Sequence, residues 1–152
     1  MPQVIQRKIL PYRQRDLFDI VADVEAYPEF LPWCLATRIR DRDKEAFTAD
    51  WLIGFRMIRE RFTSRVRPSS DGSKIDVSLI SGPFRYLETQ WRFEPLAEGT
   101  EVTVHIDFSF SSGVFQRVLE PLFGEAQRRM IAAFEGRAAV LHGAGLAVPT
   151  PA

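Results

Sequence analysis

A change of period constrains this chain more than any other feature. From Leu35 to Phe110 apolar residues recur at every second position, whereas from Val114 to Leu141 they recur at every third or fourth. A repeat of two belongs to a strand with one buried face, and a repeat near 3.6 to a helix with one buried stripe. The alternating sets are Leu35, Thr37 and Ile39; Phe47, Ala49, Trp51, Ile53 and Phe55; Ile58, Glu60, Phe62, Ser64 and Val66; Ile75, Val77 and Leu79; Leu87, Thr89, Trp91 and Phe93; and Val102, Val104, Ile106, Phe108 and Phe110. Gly54, the Pro68 to Gly72 cluster, the Gly82-Pro83 corner and Gly99 read as turns between them. Each set is expected to point to one side of a single sheet.

Ahead of this block, Val4 to Leu10 alternates like a strand and Pro11 closes it. Between Arg13 and Val24 the residues Leu17, Ile20, Val21 and Val24 fall at helical spacing, with Asp16, Asp19 and Asp23 on the other side. Ala26 to Trp33 carries two prolines, which suits a helical turn ending in a tight corner. Behind it, Phe115, Val118, Leu119, Leu122, Phe123, Ala126, Met130, Ala133, Phe134, Ala138 and Leu141 predict a helix of roughly 40 Å at about 1.5 Å per residue. Glu120-Pro121 is its expected kink or restart. The order β-α-α-β6-α is α+β: a curved antiparallel sheet of about seven strands with its helices segregated from it. Residues 1–143 are expected to form one domain and 144–152 a frayed tail.

Charge and cysteine content exclude several classes. Lys+Arg and Asp+Glu both total 20, so the chain lacks the basic excess of a dedicated nucleic-acid binder and no DNA partner is expected. A single cysteine, Cys34, makes no internal disulfide and suits a reducing compartment, so a cytoplasmic location is expected. No run approaches the roughly 18 apolar residues of a membrane span, and any membrane contact is expected to be peripheral. His105, His142 and Cys34 show no metal-ligand spacing, and the chain has no phosphate-cradling glycine loop or nucleophile elbow. Neither metal nor cofactor is expected.

With this element order, three segments carry a family resemblance: Tyr27-Pro-Glu-Phe-Leu-Pro-Trp-Cys34; Val77-Ser-Leu-Ile-Ser-Gly-Pro-Phe84 followed by Leu87 and Trp91-Arg-Phe93; and Phe134-Glu-Gly-Arg-Ala138. The chain resembles the coenzyme Q-binding family of START-type helix-grip proteins from about Val4 to Gly143. It departs from the family at Ser81, where an aspartate commonly precedes the Gly-Pro-Phe corner. The resemblance implies a sheet gripping a long C-terminal helix. It also implies non-enzymatic binding of ubiquinone or a related polyprenyl lipid in support of respiration, beside the inner membrane. The same family includes bacterial toxins that block association of ribosomal subunits, which is the alternative the resemblance leaves open.

A quinone head only accepts hydrogen bonds, and its tail needs apolar wall. One isoprene unit contributes on the order of 3 to 4 kcal/mol at about 0.8 kcal/mol per buried CH₂. Candidate ligand-binding residues are therefore the inward or corner aromatics and aliphatics Phe30, Leu31, Trp33, Trp51, Phe55, Phe62, Leu79, Pro83, Phe84, Tyr86, Trp91, Phe108, Phe110, Phe115, Leu119, Phe123, Met130 and Phe134. The same residues also suit an ordinary filled core. Pro28 to Trp33 and Ser81 to Phe84 are either the rim of a mouth meeting a bilayer or two plain proline corners. Glu60 shares the inward face, where a carboxylate would serve as general base in a polyketide cyclase-like enzyme, or simply sit paired at a strand end. Arg38, Arg40, Arg59, Arg61, Arg65 and Arg67 share the outward face, as a ribosomal RNA or lipid-headgroup contact or as a solvated sheet back paired to acids.

Overall fold

In a computed structural model of the chain, residues 3–55, 58–113, 117, 121, 125 and 129–143 are described. Strand β1 (Gln3–Leu10) leads to helix α1 (Gln14–Ala22) and a 3₁₀ turn (Val24–Glu29). Six strands follow: β2 (Cys34–Arg40), β3 (Phe47–Phe55), β4 (Ile58–Pro68), β5 (Lys74–Ser81), β6 (Phe84–Leu96) and β7 (Gly99–Phe110). Helix α2 (Met130–His142) closes the described chain. The seven strands make one antiparallel sheet in the order β1-β7-β6-β5-β4-β3-β2. The two strands flanking α1 thus lie at opposite edges, and α1 and the 3₁₀ turn cross the inner face between them.

The alternation decides which face is covered. Phe47, Ala49, Trp51 and Ile53 on β3, Phe62, Ser64 and Val66 on β4, and Val102 through Phe110 at every second position on β7 are buried. Leu17, Phe18, Ile20 and Val21 cover them from α1, and Met130, Ile131, Phe134 and Ala138 from α2. Polar contacts fix the helix at both flanks. Lys8 Nζ meets Glu135 Oε1 at 2.8 Å, and the Tyr12 hydroxyl donates to the Gly143 carbonyl at 3.0 Å. On the other flank the Arg137 guanidinium lies over the Phe30 ring and reaches Glu29.

Two expectations are corrected. Leu35 does not point inward: a bulge between Cys34 and Ala36 puts Cys34 opposite Ile53 and turns Leu35, 40% exposed, outward. Gly54 is not a turn residue but lies within β3 beneath Leu35, where a Cβ would sit 2.7 Å from Leu35 Cδ1. The chain leaves helical geometry at Arg129, whose φ of −97° and ψ of 3° precede α2; Pro121 is helical and exposed, and the rest of the expected kink at Glu120-Pro121 lies outside the described residues. The expected tail, 144–152, lies outside the described residues.

Candidate functional site

Between the inner face of β3–β6 and the two helices lies an apolar cavity of about 60 Å³. Among the described residues it is lined by Val21, Val24 and Tyr27 from α1 and the 3₁₀ turn, and by Trp33 at the corner before β2. Trp51, Phe62, Val66, Ile75, Val77, Leu87, Thr89 and Trp91 line it from the sheet, and Met130 and Phe134 from α2. Rings pack tightly around it. Trp51 stacks on Phe62 at 5.4 Å, and Phe134 meets Trp91 at 5.1 Å and Tyr27 at 5.2 Å edge to face. On the scale where about 10–15 Å³ holds one water and roughly 150 Å³ admits benzene, this cavity takes water but no ring until a wall moves. Met130, unbranched and flexible, is the wall residue best suited to yield.

The polar groups on this wall are few and unequal. Trp51 donates its indole N–H to Ser64 Oγ at 2.8 Å, and the Tyr27 hydroxyl donates to the Val21 carbonyl. Burial first, then the neighbouring Cys34 and Asp23, hold the Tyr27 phenol well above its ordinary pKa, so it stays neutral. Trp91 and Thr89, two residues apart on one face of β6, donate to no acceptor among the described residues. They are hydrogen-bonding groups left over in an apolar wall. Cys34, buried behind the corner, has its thiol pushed up to about 12 by desolvation and is no nucleophile at neutral pH.

Of the residues singled out from sequence, the structure brings Trp33, Trp51, Phe62, Trp91, Met130 and Phe134 to the cavity. Phe84, Phe108 and Phe110 are buried away from it, extending the ring stack from Phe62 toward the end of β7. Leu31 is buried in the core, while Phe30 and Leu79 are partly buried beside it and Pro83 is half-buried in its hairpin. Tyr86 is misplaced by the sequence reading. One residue before the inward Leu87, it stands opposite Ser109 on the outer face, where desolvation and then Asp107 raise its pKa, while the bulge between Phe84 and Tyr86 is what turns Phe84 inward. The side chain of Phe55, and Phe115, Leu119 and Phe123, lie outside the described residues.

The wall also holds valines, an isoleucine, Tyr27, Leu87 and Thr89, which the sequence reading misses as site residues. Their signals are inward parity on the strands, helical spacing at Val21 and Val24, and the family segment that opens at Tyr27. Glu60 is half-buried and does not line the cavity. Gly54 N–H donates to the Trp33 carbonyl at the first corner, and Ser81, which precedes the β5–β6 hairpin, pairs with Thr63 on β4.

On the outer face the arginines divide. Arg40 grips Asp50 through Nε at 2.9 Å and Nη2 at 3.2 Å, and Arg65 holds Asp43, the Asp41 carbonyl and Thr48. Arg38, Arg59, Arg61 and Arg67 are exposed and make no ion pair among the described residues, although Arg67 faces Asp76 in register.

A family model described as polyketide cyclase / dehydrase and lipid transport matches residues 10–135. The chain belongs to that START-like family. A solved START superfamily protein from Mycobacterium smegmatis, 23% identical, superposes with a TM-score of 0.77 over 91% of this chain and 98% of that one. The ribosome association toxin RatA of Rickettsia prowazekii is 39% identical over 134 residues, covering 86% of this chain and 92% of the relative. The mitochondrial coenzyme Q-binding protein COQ10 homolog B of Xenopus laevis is 30% identical over 142 residues, covering 91% of this chain and 58% of that protein. The helix-grip arrangement expected from the sequence is the fold observed.

Proposed function

We propose that this START-like protein binds, without catalysis, a polyprenyl lipid whose head presents carbonyl oxygens, ubiquinone being the leading member of the class. The observation that carries the reading is the pairing of an apolar wall with the unused Trp91 indole and Thr89 hydroxyl. A quinone oxygen accepts from Trp91 while the tail lies against Val66, Ile75, Val77 and Phe134. Because the cavity is smaller than the head, loading requires α2 to shift at Met130 and Phe134. A cyclase needs a positioned acid or base, and the only ionisable group on the described wall is the neutral phenol of Tyr27. No helix of the described residues is long and apolar enough to cross a membrane.

Mass spectrometry of organic extracts from natively purified protein should show a quinone, and added ubiquinone should quench tryptophan fluorescence. Trp91→Phe keeps the ring and removes the donor, and should weaken binding by about 5- to 15-fold, the worth of one hydrogen bond near 1 to 1.5 kcal/mol. Clean extracts together with no quenching would reject the reading. A second reading, association with a ribosomal subunit, draws on the RatA relatives and on the arginines left unpaired on the outer face.

A further inference from the structure

On the outer face of β2–β3–β4, opposite the cavity, is a hollow of about 250 Å³. Its outward side chains are Ala36, Arg38, Asp50, Leu52, Arg61 and Thr63. We propose that this hollow is a docking site for the sugar-phosphate backbone of RNA, with Arg38 and Arg61 as the phosphate ligands.

The site is built by register. Arg38 pairs with Asp50 and Leu52 with Arg61, so the two arginines stand on either side of β3, two residues apart along it. Strand spacing of about 4.8 Å and a rise of about 3.4 Å per residue set their Cα atoms roughly 12 Å apart. Between them the short side chains of Ala36 and Thr63 leave the floor low. The one carboxylate in the hollow, Asp50, is already answered by the Arg40 fork and by the Thr63 hydroxyl at 2.7 Å, which hold its pKa below the usual carboxylate range. Two guanidinium groups against one carboxylate, itself held by Arg40, leave a local charge of about +1 on a chain whose total is zero.

Depth favours RNA over a bilayer. A headgroup plane meets protruding side chains, whereas a recess flanked by two arginines admits a ribose and its phosphates, with Leu52 as an apolar floor for the sugar face. The guanidinium fork matches phosphate oxygens two at a time. Arg59, two residues further along β4 and exposed, extends the track toward the β3–β4 end. This inference rests on the second reading above, and names the surface it would use.

The test uses the full chain, a fluorescein-labelled single-stranded RNA, purified large ribosomal subunits, and anionic phosphatidylglycerol vesicles. R38A/R61A should weaken RNA binding at least 10-fold and lower the salt slope by about two, one for each phosphate no longer neutralised. It should also release the protein from sedimenting subunits. Arg67→Ala, outside the hollow, should leave both unchanged. Unchanged thermal melting and quinone quenching would certify the double variant as folded. If the wild type sediments with subunits and the double variant does so equally, the hollow is the wrong surface and ribosome association stands. If the wild type binds neither subunits nor RNA, both fall. If the variant loses only vesicle binding, the site belongs to lipid headgroups and the RNA assignment is overturned.

Discussion

Ser64 illustrates how a single polar atom serves an apolar interior. It is fully buried on the inward face of β4, a position where alternation alone would ask for an aliphatic residue, and its hydroxyl accepts the Trp51 indole N–H at 2.8 Å. Ser64→Ala fits the space but strands a buried donor. The expected loss is about 1 to 3 kcal/mol of stability, read as a lower urea midpoint at unchanged slope. Trp91 carries the same donor with no acceptor among the described residues, and that is the difference between two tryptophans on one wall.

At the scale of elements, the β6–β7 hairpin closes against the end of β1 at Gly99. There φ is +148°, and a Cβ would lie 2.0 Å from the Leu10 carbonyl oxygen. Backbone cannot retreat as a side chain can. Gly99→Ala should therefore destabilise by more than about 2 kcal/mol, visible as a melting temperature lowered by several degrees. The seven strands and their inward sets were legible because parity survives wherever the ladder is regular. It failed at Leu35 because a bulge inserts one residue and reverses the parity beyond it, with no mark in the composition, whereas Tyr86, next to the inward Leu87, was outward by parity all along. The cavity was legible only as a class of side chains. Which inward rings mesh and which leave space depends on how the helices pack over the sheet, through contacts between residues far apart in the chain such as Tyr27 with Phe134.

For the molecule as a whole, the carboxylates that matter are those held by donors on the outer face and in the turns. Hydroxyls of Ser73 and Ser69 hold Asp71 at about 2, the Glu45 and Ala46 amides lower Asp43, and Arg40 and Thr63 lower Asp50. Depressed carboxylate pKa values favour the folded state fully above the unfolded value near 3.9. That contribution fades as protons bind through the folded values. Urea midpoints are thus expected to be insensitive to these groups between about pH 7 and 5, and to fall between about pH 4 and 2. The edge positions of β1 and β2 bear on synthesis as well. Since β1 pairs with β7, about a hundred residues downstream, it stays unmatched during synthesis until β7 has been made. Its open row of amides, with the exposed Ile5 and Ile9 beside it, is until then an edge on which other chains can pair.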